Sequence, residues 1–310
     1  MSANVLFTAR GVAHTFQKYT NGVPSSTLLV FCHANGFCKE VWGPVIAALG
    51  KHTRVSFDVL ALDLTGHGQT TRSTDDFCWY DLSRDVLSCV AARLDESNEY
   101  KNIVGIGHSI GATAVIQAEI LLPGTFDSLM AIEPIIPPPS CAPLTTDSRI
   151  VSSTLKRRIK FDSKNSAFAQ WSSKKAFQRW QPEALRAYVD GGLVRTRDGF
   201  TLRCDPRFEA EIFTGTTDTY EYLPSMTCPT LLVGGAESFH LRAFEAAVGA
   251  ECYMQHLSER LGNAYPCQIL PACTHFVPME VPDKIASMIV EQFIQSTDKR
   301  HPKDRFASRL

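Results

Sequence analysis

Short apolar runs alternating with amphipathic stretches constrain this chain more than any other feature. Residues 27–32, 55–63, 103–106, 128–132, 230–233 and 267–270 each read as a short buried strand. Between them, residues 41–49, 80–94, 112–122, part of 241–261 and 284–293 have helical spacing. In the last of these, Ile285, Ile289 and Phe293 recur at i, i+4 and i+8 and so share one helical face. This order specifies an α/β fold, a mostly parallel central sheet with crossover helices. Residues 5–19 predict two antiparallel edge strands, closed by the turn Asn21-Gly22-Val23-Pro24.

The run Glu133-Pro134-Ile135-Ile136-Pro137-Pro138-Pro139 interrupts the rhythm, because successive prolines continue neither a helix nor a central strand. The sheet pattern resumes at Cys228-Pro229-Thr230. Residues 1–136 and 226–297 are therefore expected to form the core, 137–225 an inserted helical cap, and 298–310 an exposed tail. Within the cap, residues 149–186 hold ten Lys/Arg against two Asp/Glu in a chain of net charge −1. Such an excess is either a solvated helix face or an electropositive lid that draws in an anionic substrate or an anionic lipid surface.

Composition removes several function classes. A balanced charge gives no whole-surface nucleic-acid footprint. No apolar run approaches the roughly eighteen residues of a membrane span, and the N-terminus lacks a secretory apolar segment. Ten cysteines are scattered without a C-x-x-C pair, which predicts reduced thiols in an intracellular protein. The chain ends Ser308-Arg309-Leu310, similar to the S-K-L address read by the peroxisomal import receptor. A peroxisomal or related organellar location follows as an expectation, with the cytoplasm as the alternative. Cys273-x-His275 lacks further clustered ligands, and neither a G-x-G-x-x-G nor a P-loop is present, so no metal or cofactor is expected.

Gly105-Ile106-Gly107-His108-Ser109-Ile110-Gly111 sits between a strand-like run and a helix-like stretch, the setting of a G-x-S-x-G nucleophile elbow. His33-Ala34-Asn35-Gly36-Phe37 follows an early strand. Asp63-Leu64-Thr65-Gly66-His67-Gly68 follows the next, and Thr274-His275-Phe276-Val277-Pro278-Met279-Glu280 follows the last. These four motifs, in this order, resemble the α/β-hydrolase superfamily over nearly the whole chain. H-A-N-G-F, the E-P-I segment, the basic cap and the terminal tripeptide look most like a branch of peroxisomal lipases and toxin-biosynthesis hydrolases of fungi.

The resemblance implies Ser109 as nucleophile, His275 as its base, and an oxyanion hole from the backbone N–H groups of Asn35 and Ile110, with His33 and His108 in supporting roles. The aspartate usual after the seventh strand is missing, Ser238 standing in its place. The acid is then Glu133, after the sixth strand, or Glu237. Dehalogenases and epoxide hydrolases of this fold carry an aspartate at the elbow, where this chain has Ser109. The implied activity is acyl-ester hydrolysis through an acyl-enzyme on a small-molecule or lipid substrate. Acyl-CoA thioester hydrolysis and a catalytically silent binding fold are the alternatives. Phe168, Trp171, Phe177, Trp180 and Tyr188 are candidates either to enclose an acyl chain or to form the cap's own core.

Overall fold

The computed structural model describes residues 4–72, 76–97, 100–141 and 143–295. The terminal tripeptide Ser308-Arg309-Leu310 and the expected tail from 298 lie outside the described residues. The strands are β1 (Val5–Phe7), β2 (Ala13–Tyr19), β3 (Thr27–Cys32), β4 (Phe57–Leu62), β5 (Asn102–His108), β6 (Ser128–Ile132), β7 (Lys160–Phe161), β8 (Leu193–Thr196), β9 (Gly199–Leu202), β10 (Thr230–Gly235) and β11 (Gln268–Leu270). Helices α1 (Gly43–His52), α2 (Trp79–Glu96) and α3 (Ile110–Leu121) belong to the first half. They are followed by α4 (Arg149–Leu155), α5 (Lys164–Ser172), α6 (Pro182–Gly192), α7 (Pro206–Thr214), α8 (Thr219–Tyr222), α9 (His240–Val248), α10 (Tyr253–Arg260), α11 (Val277–Glu280) and α12 (Pro282–Ile289).

Eight strands pair in the order β1-β2-β4-β3-β5-β6-β10-β11. β1 and β2 are antiparallel to their neighbours, and the pairs from β4 to β11 are parallel. Every residue of β3, β4, β5, β6 and β10 is buried, as strands covered on both faces require. Strand alternation divides them between two cores. Leu29 and Phe31 pack with α1 and α12 on one face, and Leu28, Val30 and Cys32 pack with α2 and α3 on the other. The helical pattern of 241–261 resolves into α9 and α10 because Gly249, at φ 67°, ends α9 in the left-handed conformation. Among the described residues, no helix is long and apolar enough to cross a membrane.

The insertion between β6 and β10 departs from the helical expectation. Besides α4 to α8 it carries a small antiparallel sheet, β7-β9-β8. The hairpin joining β8 to β9 turns through Arg197-Asp198 into Gly199, which pairs with Thr196 as the first residue of β9; Asp198-Gly199 is a short-range hairpin signal within a segment otherwise read as helical. Gly199 has φ 129°, and a Cβ there would lie 2.5 Å from the Phe161 carbonyl oxygen of β7, so the turn and the third strand both need this glycine.

Candidate active site

β5 ends at His108, and the chain reverses at Ser109 into α3. Ser109 has φ 57° and ψ −121°, a conformation disfavoured for an L-residue. Its N–H donates to the Ile132 carbonyl at 2.9 Å, and its own carbonyl accepts from the N–H groups of Ala112 and Thr113 at 3.0 and 3.1 Å. The flanking glycines are required by close approach. A Cβ on Gly107 would lie 2.4 Å from the Ala112 Cα, and one on Gly111 would lie 2.4 Å from the carbonyl oxygens of both Cys32 and His33. The motif thus lets the first turn of α3 lie against the end of β3. The N–H of Ile110, first residue of α3, has no intrahelical acceptor at this position.

Glu133 follows β6 and also has a positive φ, 51°, with its N–H bonded to the Val233 carbonyl at 2.8 Å. Its fully buried carboxylate has a donor on each oxygen. Oε1 accepts from the Gly235 N–H at 2.6 Å. Oε2 accepts from the Ser238 hydroxyl at 2.6 Å and lies 3.0 Å from His275 Nδ1. Burial raises the Glu133 carboxyl above the usual range, and the bonds from Ser238 and Gly235 oppose that rise. Burial pushes His275 down to about 4, so at neutral pH the ring is uncharged. With Nδ1–H turned to Glu133, Nε2 carries the lone pair a general base needs.

Glu237, the alternative acid, takes no part in this arrangement. Its carboxylate is about half exposed and pairs with Arg179 at 2.7 Å. Ser238, standing where the usual aspartate would be, instead donates its hydroxyl to the Glu133 carboxylate.

The histidine loop is fixed from beneath. His108 Nε2 donates to the His275 carbonyl at 2.7 Å, and Glu280 accepts from the Thr274 N–H at 2.8 Å. On the other side, His33 is fully buried. Its Nδ1–H donates to the Ala34 carbonyl at 2.8 Å, and its Nε2 accepts from the Leu64 N–H at 3.1 Å, tying the loop after β3 to the loop after β4. His67 makes an equivalent tie. Its Nε2 accepts from the Gly36 N–H at 2.9 Å, and its Nδ1 donates to the Thr65 carbonyl at 2.9 Å. These roles leave all three rings neutral, and burial lowers His33 to about 4 and His67 and His108 to about 3.

Asn35, Ser109, Ile110 and His275 line one cavity of about 1280 Å³ that runs beneath the insertion. The five aromatic candidates divide here. Trp171, Phe177 and Tyr188 line the cavity as near-parallel rings, Trp171 and Tyr188 with centroids 4.8 Å apart. Trp180 packs with Phe37 and Phe276, while Phe168 lies under the Arg186 guanidinium away from the cavity. His240, which sequence reasoning passed over, also lines the cavity with its ring centroid 4.5 Å from that of His275. It opens α9, two residues after Ser238, and no local pattern marks it.

The alpha/beta hydrolase family matches residues 29–288. The chain belongs to that family. Hydrolysis is the activity class that membership supports. Peroxisomal membrane protein LPX1 of Saccharomyces cerevisiae is 34% identical over 119 residues, which make up 35% of this alpha/beta hydrolase and 30% of LPX1. The chain thus matches less than a third of that relative's length. Type I acyl-CoA thioesterase mpaH of Penicillium brevicompactum is 27% identical over 205 residues, 59% of this chain and 47% of mpaH. Among solved structures, the peroxisomal alpha-beta-hydrolase Lpx1 of Saccharomyces cerevisiae superimposes with a TM-score of 0.78 at 20% identity, over 100% of this chain and 89% of the other. At that identity the superposition speaks for the fold.

Proposed function

We propose that this alpha/beta hydrolase is a serine acyl hydrolase acting on a hydrophobic carboxylic ester, with Ser109, His275 and Glu133 as its triad. The observation that carries the reading is the Glu133–His275 hydrogen bond at the floor of the cavity that Ser109 also lines. Ser109 Oγ attacks the ester carbonyl carbon while His275 Nε2 takes its proton. The tetrahedral oxyanion is held by the N–H groups of Asn35 and Ile110. The C–O bond then breaks, and His275 returns the proton to the leaving alcohol. Water, deprotonated by the same ring, attacks the acyl carbon; the bond to Ser109 Oγ breaks, the ring returns the proton to that oxygen, and the acid leaves. Glu133 steadies the imidazolium that forms twice in this cycle.

A thioester reading has its own support. Arg158 and Lys174 are exposed bases that line the same cavity, positioned to meet the phosphates of an acyl-CoA, and mpaH is named as an acyl-CoA thioesterase. One experiment addresses both readings: turnover of matched p-nitrophenyl esters and acyl-CoA thioesters, four to sixteen carbons long, with fluorophosphonate labelling of the wild type and Ser109→Ala. Labelling and turnover confined to the wild type are expected, and the preferred series selects ester or thioester. Absence of both in the wild type would leave a silent binding fold.

Peroxisomal placement completes the proposal, supported by Ser308-Arg309-Leu310 and by the peroxisomal relative. A tagged chain lacking those three residues is expected to stay in the cytosol. Its continued import would remove the import receptor as a partner.

A further inference from the structure

The loop 34–37, which carries one of the two oxyanion donors, is held by the insertion as well as by the core. The Asn35 Nδ2 donates to the Glu209 carbonyl of α7 at 3.0 Å, and the Tyr188 hydroxyl of α6 donates to the Gly36 carbonyl at 3.2 Å. The Glu209 carboxylate lies directly under Gly36, where a Cβ would sit 2.8 Å from its Cδ. That carboxylate is buried and pairs with Arg157, just beyond α4. Thus α7 and α6 each bond one of two adjacent loop residues, and the segment after α4 reaches the loop through the Arg157–Glu209 pair.

A buried ion pair returns little net stability, because desolvating two charges offsets most of their attraction. Its physical product is geometric. It locks the end of α4 to α7 at the point where α7 touches Asn35 and Gly36. Both partners also line the substrate cavity, so an unfilled or opened insertion exposes the pair to water and weakens it.

We propose that Arg157 and Glu209 are positioning residues for the oxyanion hole: the ion pair between them sets the path of the loop 34–37, so that seating of the insertion on the core is a condition of catalysis as well as of substrate selection. The inference rests on the serine-hydrolase reading above, and its test includes a readout that needs no turnover.

The experiment compares wild type with Glu209→Gln, Arg157→Met and the double variant Arg157→Met/Glu209→Gln. Each single change leaves one partner, the buried Glu209 carboxylate or the part-buried Arg157 guanidinium, without its counter-charge and lowers thermal stability. The double change removes both charges and is expected to recover most of the melting temperature. Its kcat is nevertheless expected to stay roughly a hundredfold down, the scale of one oxyanion donor, with KM within about threefold. Inhibition by an alkylboronic acid, whose adduct with Ser109 mimics the tetrahedral oxyanion, weakens by a similar factor.

The backbone amide resonances of Asn35 and Gly36 are expected to move in the double variant, and this is read without any substrate. A double variant with wild-type kcat and boronate affinity would overturn the proposal. So would unmoved Asn35 and Gly36 resonances, whether or not the protein hydrolyses esters. Failure of the serine mechanism itself appears separately, as turnover that survives Ser109→Ala.

Discussion

Glu133→Gln is expected to lower kcat about 10⁴-fold, the scale set by amide replacement of a triad acid, while Glu237→Gln leaves it within about twofold. The reason is in the two ends of the Glu133 carboxylate. Oε1 faces a donor that cannot rearrange, the Gly235 N–H, so a glutamine must present its oxygen there. Its NH₂ then faces Ser238 Oγ and His275 Nδ1. Donation from that NH₂ forces the proton of His275 onto Nε2, and the ring loses the lone pair that would take the Ser109 proton. The opposite amide orientation sets NH₂ against the Gly235 N–H, two donors with no acceptor between them. Glu237 exchanges only a half-exposed ion pair with Arg179, which contributes little. Steady-state kinetics on the preferred ester decides the matter. A Glu133→Gln loss below about tenfold, or a larger loss for Glu237→Gln, would move the acid to residue 237.

Acid lability is the second large effect. His33, His67, His108, His240 and His275 are held at about 4, 3, 3, 3 and 4 by burial. In the unfolded chain each returns to about 6.5. As pH falls below 6.5, the unfolded state binds these protons and the folded state does not, so stability is lost between that value and the folded ones. Each ring removes roughly 1 kcal/mol between pH 7.5 and 5.5 by this linkage, and the group of them several kcal/mol.

Buried carboxyls act in the opposite sense. Asp85 is raised to about 6, and Glu133 and Glu209 are also raised, all through burial, so the folded state takes up their protons first and recovers part of the loss. The net expectation is a fall in unfolding free energy from pH 7.5 to 5.5 on the order of a few kcal/mol, a large share of a typical domain's stability. Urea unfolding at the two pH values checks it. An unchanged unfolding free energy would mean that these rings are hydrated in the folded protein. A practical consequence is that the acid limb of activity follows unfolding rather than titration of His275 in the intact site.

Local pattern determined the order of the core. Alternation of apolar runs with amphipathic stretches placed β3 to β6 and β10, and the spacing of Gly107, Ser109 and Gly111 placed the elbow, because each depends on residues a few positions apart. The reading failed locally in the insertion, where a hairpin needs only the two-residue turn Arg197-Asp198 before Gly199 and short runs that also suit a helix. The contact between Glu133 and His275 was not local. Glu133 and His275 are 142 positions apart, and Glu237 is far nearer in sequence to the histidine. Only the pairing of β6 with β10 brings the Glu133 carboxylate under the Gly235 N–H and against His275. His240 beside that ring, and the Arg157–Glu209 pair beneath Gly36, likewise carry no periodic or motif signal. They exist as neighbours because the sheet and its insertion close over one cavity, and approach between distant segments is written in packing rather than in spacing along the chain.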